Sequence, residues 1–114
     1  MLIAEKDFNV LMENYSLKFD EVILKQLKQL EKEKDLKERI SKMLDKIEKL
    51  GPNAGKLIDS NLLLYEIKAK KPPIRLYYEI EEKQKKAYIF EYEIKTSKKK
   101  QQKTIRKIKK KSET

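Results

Sequence analysis

Along the chain the spacing of apolar residues switches from alternating to helical and back again. Tyr15, Leu17 and Phe19 alternate with Ser16 and Lys18, the signature of a short strand. Asp20 then stands where a helix N-cap belongs, and Ile23, Leu27 and Leu30 recur at helical spacing on one stripe. A charged break at 31–34 leads to Asp35 and, three residues on, Glu38, the spacing of a capping box. Leu36, Ile40, Met43, Leu44, Ile47 and Leu50 mark a second helix, which Gly51 and Pro52 terminate. Two single-striped helices joined by a short link predict an αα-hairpin that must cover an apolar surface.

That surface is predicted by the next three runs, residues 62–69, 74–81 and 87–94, all rich in Leu, Ile, Tyr and Phe. Short polar connections at 70–73 and 82–85 make consecutive antiparallel pairing the simplest topology. Pro72 and Pro73 lack donors for a ladder and fall in the first connection. Residues 98–111 carry only Ile105 and Ile108 as apolar anchors, predicting a basic helix that is held weakly to the body or that orders fully only with a partner. The expected architecture is α+β: an N-terminal strand, an αα-hairpin on one face of an antiparallel sheet of three to four strands, and a C-terminal basic helix. Residues 1–14 form an N-terminal extension, 15–111 a single domain and 112–114 a disordered end.

Strand periodicity sorts the side chains. Leu63, Tyr65, Ile67 and Ala69 share the helix-facing side with Ile74, Leu76, Tyr78 and Ile80, and with Tyr88, Phe90, Tyr92 and Ile94. The opposite, uncovered face then carries Glu66, Lys68, Arg75, Tyr77, Glu79 and Glu91, provided no bulge shifts the register. One reading of this set is a solvated face laced with cross-strand ion pairs. The other is a phosphodiester site, in which Arg75 grips phosphate oxygens, Lys68 adds charge, Tyr77 offers a ring to a base, and Glu66 is the nearest carboxylate able to act as a base.

Charge sharpens the second reading. Residues 95–111 hold ten Lys or Arg and no acid, so this one segment carries the whole formal charge of +10. Such segregation recruits polyanions, nucleic acid first, while a solvated lysine-rich tail is the plain alternative. Without cysteine there are no disulfides or thiolate metal sites, and a reducing, cytoplasmic setting is expected. Without histidine, proton transfer falls to Glu, Asp, Lys or Tyr, and no metal or cofactor is expected. No apolar run exceeds the four residues of 62–65, far too short to span a bilayer, and the opening residues show no signal-peptide pattern, so neither secretion nor membrane insertion is expected.

The stretch Leu64-Tyr65-Glu66-Ile67-Lys68, then Arg75-Leu76-Tyr77-Tyr78, then the lysine-rich 95–103 segment resembles the RelE/ParE superfamily of type II toxins. The resemblance covers about residues 15–110 and is closest to the HigB-like, phage-derived branch. It implies a small toxin neutralised by a cognate antitoxin protein, and a metal-independent endoribonuclease that cleaves mRNA on the ribosome. It also implies site residues: Arg75 against the scissile phosphate, Lys68 beside it, and Lys95 as the first lysine of the tail motif, with Lys98 and Lys99 to supply the charge missing at Thr96. The lysines of this segment, Lys95, Lys98, Lys99, Lys100 and Lys103, would hold flanking phosphates or ribosomal RNA. RNA can be cut by attack of its own 2′-hydroxyl, so the protein needs only a base, a charge clamp and an acid. Glu66 or Lys68 would take the proton. The chain departs from its relatives in placing Glu66 where some have lysine, Thr96 where the tail motif has a second lysine, and no tyrosine after Ile94. A gyrase inhibitor of the ParE type, or a non-enzymatic basic RNA-binding module, are the alternatives.

Overall fold

The computed structural model of the chain describes residues 14–94 and 97–112. Residues 1–13 of the predicted extension, and Lys95 and Thr96 of the tail motif, lie outside the described residues.

Strand β1 (Ser16–Phe19) leads through Asp20 into helix α1 (Glu21–Gln29). Asp20 caps it as the sequence predicts, its carboxylate accepting from Val22 N at 3.1 Å. A 3₁₀ turn at Leu30–Lys32 links to helix α2 (Lys34–Leu50). The helix begins one residue before the predicted capping box: Glu33 is its N-cap, without a side-chain bond, and Asp35 lies in the first turn, where a negative charge complements the helix dipole. Gly51 ends α2 at φ 53°. A Cβ there would lie 2.2 Å from Cε1 of the buried Tyr15, so this position needs glycine for its backbone angle and for the ring above it.

Four further strands follow: β2 (Lys56–Asp59), β3 (Leu64–Lys70), β4 (Pro73–Glu81) and β5 (Lys86–Ile94). The sheet order is β1-β5-β4-β3-β2. The three central strands pair antiparallel as expected, whereas β1 pairs parallel with β5. Strand β2 is an addition to the predicted set. Leu62 and Leu63 belong to the β2–β3 turn rather than to β3, with Asp59 Oδ1 accepting from Leu62 N at 3.0 Å. Pro72 stays in the β3–β4 turn, while Pro73 opens β4, a position that needs no donor.

The hairpin of α1 and α2 covers one face. Ile23, Ile40, Met43 and Ile47 pack on Ile67, Leu76, Tyr78 and Ile80, forming the main core. Faces in β3 and β4 follow the predicted alternation. In β5 they do not: a bulge shifts the register between Tyr77 and Tyr78, which pair with Glu91 and Ile89. Phe90 is the extra residue, so the first half of β5 is inverted. Ala87 and Ile89, expected on the far side, join the main core. Phe90 turns away from it, and Tyr88 is exposed.

The far face is not open. Helix α3 (Lys98–Ser112) lies across it, and Ile105 and Ile108 pack with Leu64, Tyr77 and Phe90 in a second apolar cluster. The helices therefore sandwich the sheet instead of occupying one side. The basic helix is docked through buried isoleucines, and Ser112, expected in a disordered end, is its last residue.

Candidate nucleic-acid site

Helix α3 is bonded to the sheet by a row of carboxylates. Gln101 Nε2 donates to Glu66 Oε2 at 3.1 Å, and the Thr104 hydroxyl bonds Glu93. Lys107 Nζ stands 3.1 Å from Glu91, Lys109 2.8 Å from Asp59, and Lys111 2.9 Å from Asp20. The Ser112 hydroxyl closes the row on Glu79. Three of the glutamates, at 66, 91 and 93, are buried, and each meets a polar group of the helix, as buried charge requires.

These bonds leave traces in proton affinity. The Lys109 ammonium, bonded to Asp59, holds that carboxyl below its ordinary range. Burial works against ionisation of Asp20, but its bonds from Lys111 and from Val22 N outweigh it, and the net shift is downward. Burial pushes Glu79 up, partly offset by the Ser112 bond. Burial likewise raises Tyr77 far above the usual phenol value, reinforced by its hydrogen bond to Glu93 at 2.9 Å.

The predicted site residues separate into three groups. Tyr77 is 0% exposed beneath α3, so its ring faces Ile105 and Ile108 and not solvent. The stacking role expected for it is overturned, because the face that would have presented it is covered. Glu66, Lys68 and Arg75 come together. Arg75 and Lys68 are directly opposed in the β3–β4 ladder, with side chains 27% and 51% exposed, and both reach Glu66. Arg75 Nη1 lies 3.2 Å from Glu66 Oε1 and Lys68 Nζ 3.4 Å from the same oxygen. Glu66 itself is 3% exposed.

Lys98, Lys99, Lys100 and Lys103 form the third group, all exposed along the start of α3. Ser97 caps this helix, its Oγ accepting from Lys100 N at 3.2 Å. Lysines at the positive end of a helix dipole, with no acid in the first turn, oppose helix formation. Lys99, Lys100 and Lys103, with Arg106, Lys107 and Lys110, line one wall of an open groove of about 1210 Å³. Tyr92, Glu91 and Glu93 of β5 and Gln26 of α1 form its floor and far side. Gln26 is fixed there by a pair of bonds to the Tyr92 backbone, 2.9 Å each. Among the described residues, only Lys107 of that basic wall has an ion-pair partner. The groove lies on the β5 flank of α3, and none of Glu66, Lys68 and Arg75 lines it.

Gln101, Thr104 and Glu93 were missed by reading the sequence. Their signal was available: Gln101, Thr104, Ile105 and Ile108 share one stripe of an otherwise lysine-covered helix.

No protein-family model matches the sequence, and no curated protein matches it. Solved structures do. The isolated RelE toxin of Escherichia coli superposes with a TM-score of 0.61 at 23% identity, over 82% of this chain and 98% of that one. The toxin–antitoxin complex RelBE of E. coli gives 0.60 at 24%, over 73% and 99%. A RelBE toxin–antitoxin complex from Mycobacterium tuberculosis gives 0.61 at 15%, over 75% and 97%. At these identities the likeness establishes the fold, which is that of the RelE toxins.

Proposed function

We propose that the chain is the toxin of a type II toxin–antitoxin system, a metal-independent endoribonuclease acting on mRNA held by the ribosome in the cytoplasm. One observation carries this reading above all: Arg75 and Lys68 face each other on adjacent strands of a RelE-like sheet, partly exposed, beside a helix whose first-turn lysines have no ion-pair partner among the described residues. Arginine offers a planar fork to phosphate oxygens, and lysine adds a second positive charge at the same point.

In the proposed reaction the 2′-hydroxyl of one nucleotide attacks the adjacent phosphorus. The new O–P bond forms as the bond to the 5′-oxygen of the next nucleotide breaks, leaving a 2′,3′-cyclic phosphate and a 5′-oxygen that takes a proton from water to become a 5′-hydroxyl. Arg75 stabilises the extra negative charge of the phosphorane. Lys68, paired with Glu66, holds a second positive charge against the same phosphate, and the 2′-hydroxyl proton passes to water. Lys98, Lys99, Lys100 and Lys103 hold flanking phosphates or ribosomal RNA, and the resemblance assigns Lys95, the first lysine of the HigB-like tail motif, to the same task. A cognate antitoxin is the expected protein partner, as in the two toxin–antitoxin complexes above.

The exposed lysines at the start of the helix equally suit a basic module that binds RNA without cleaving it, and the fold suits a ParE-like gyrase inhibitor. Inducible expression with mapping of RNA 5′ ends separates the three. The nuclease reading expects growth arrest and new transcript ends, both lost in Arg75→Ala. Arrest with intact transcripts and blocked DNA supercoiling would replace it with the gyrase reading. RNA binding with neither arrest nor cleavage would leave the non-enzymatic one.

A further inference from the structure

Glu66 was singled out from sequence as a base, but its surroundings suit another role. Its carboxylate is 3% exposed and meets donors from three elements. Arg75 Nη1 donates to both oxygens, at 3.2 and 3.3 Å; Lys68 Nζ lies 3.4 Å from Oε1; Gln101 Nε2 donates to Oε2 at 3.1 Å. A carboxylate so occupied has no oxygen directed at an incoming hydroxyl, and a base must lie within hydrogen-bond reach of the proton it removes. Arg75 spends one terminal nitrogen on this contact. Among the described residues its Nε and Nη2 have no hydrogen-bond partner, so the fork's remaining edge is the one left for a ligand.

We infer that Glu66 and Gln101 are positioning residues: Glu66 anchors Arg75 and Lys68 so that they converge on one phosphate, and Gln101 of α3 fixes the carboxylate that does so. The inference rests on the nuclease reading for its catalytic consequence, though not for its geometry. It explains why an acid is compatible with a phosphate site, since a buried carboxylate beneath two cations orients them without facing the anion. It also explains why Gln101 interrupts a run of lysines: an amide at that position reaches Glu66, whereas a third cation on the same carboxylate would compete with Arg75 and Lys68.

Two measurements on the full chain test it. The first is single-turnover cleavage of ribosome-bound transcript by Glu66→Ala, Glu66→Gln and Gln101→Ala. Glu66→Gln keeps an acceptor for Arg75 but cannot act as a base, so it should retain activity within about tenfold of wild type. Glu66→Ala should lose about 10²-fold in rate with little change in transcript or ribosome affinity, the effect of a misplaced catalytic group. Gln101→Ala should fall between them. If Glu66 were the base, Glu66→Gln would be as inactive as Glu66→Ala, by about 10²–10⁴-fold, while Gln101→Ala behaved as wild type; that result overturns the inference. The second measurement is nitrogen-15 NMR of the Arg75 guanidinium. Wild type should show a restrained side chain with resolved, slowly rotating N–H groups, and Gln101→Ala and Glu66→Ala should show averaged ones. Unchanged Arg75 signals in both variants also overturn it. A wild type that cuts no transcript sinks the nuclease reading, and the NMR result still decides the positioning role.

Discussion

Docking of α3 is the feature least expected from sequence, and its strength can be apportioned. Ile108 is 0% exposed and Ile105 8%, both against Leu64, Tyr77 and Phe90. Burying an isoleucine side chain fully is worth about 1.5–3 kcal/mol, so the two anchors together supply roughly 3–6 kcal/mol. The ion pairs Lys107–Glu91 and Lys111–Asp20 have half- to one-third-exposed lysine ends and contribute about 1 kcal/mol or less each. The apolar anchors therefore dominate. Ile108→Ala should destabilise the protein by about 2–5 kcal/mol, because the site lies between helix and sheet and cannot collapse without moving one of them. Set against a total of about 5–15 kcal/mol for a domain, that is a large share.

The assay is urea unfolding followed by tyrosine fluorescence and far-ultraviolet circular dichroism. The chain has no tryptophan, so tyrosines report directly, Tyr77 beneath α3 among them. With a denaturant slope of about 1–3 kcal/mol per molar, the Ile108→Ala midpoint should fall by roughly 1–3 M. The double variant Lys107→Ala, Lys111→Ala should fall by much less. Added salt screens these pairs but also relieves repulsion within a chain of net charge +10, so its effect is read as the difference between wild type and the double variant. An Ile108→Ala midpoint unchanged from wild type, or a double variant as unstable as Ile108→Ala, would show that charge and not packing holds the helix.

Three other outcomes follow from the geometry. Gly51→Ala should cost about 2 kcal/mol or more in the same titration, since its φ of 53° and the Tyr15 ring both exclude a side chain; a wild-type midpoint would refute the placement of Tyr15. Asp20 and Asp59 have lowered folded-state pKa values, so the stability they supply is complete above the ordinary aspartate value near ~3.9 and is lost as pH falls through the lowered ones. Amide exchange in the last turns of α3 should accelerate over that acid window, and the Asp20→Asn, Asp59→Asn double variant should lack the acid-dependent step. Arg75→Lys keeps the charge but loses the planar fork, so transcript cleavage should still fall by about 10² or more; full activity would mean that point charge suffices at this position.

Most of the main core was legible because its signals are local. Asp20 caps α1, Gly51 ends α2, and strict alternation in β3 and β4 separates Ile67, Leu76 and Tyr78 from Glu66, Arg75 and Tyr77. What was not legible depended on pairing. Strand β2 has only Leu57 and Ile58 as apolar residues, and it exists because β3 offers an edge to Lys56 and Leu57. The β5 bulge hides in four consecutive apolar residues, 87–90, where period two assigns no face until Tyr77 and Tyr78 fix the register. The covered far face did have a clue. Leu62, Leu64 and Tyr77 make it too apolar for solvent, and its glutamates sit on the same face as that apolar set.

The basic segment thus divides into two flanks that composition alone merges into one. Its inner flank is structural: Lys107, Lys109 and Lys111 meet acids of the body, alternating with the isoleucines that bury the helix. Its outer flank, Lys98, Lys99, Lys100, Lys103, Arg106 and Lys110, has no acidic partner among the described residues, and in the first turn Lys98, Lys99 and Lys100 oppose the helix dipole. For those three lysines folding does not explain the charge, and the anionic partner proposed above would. The carboxylates beneath the helix make the arrangement possible. By pairing with only some of the lysines, they let one short helix close the second core and still present a cationic edge to solvent.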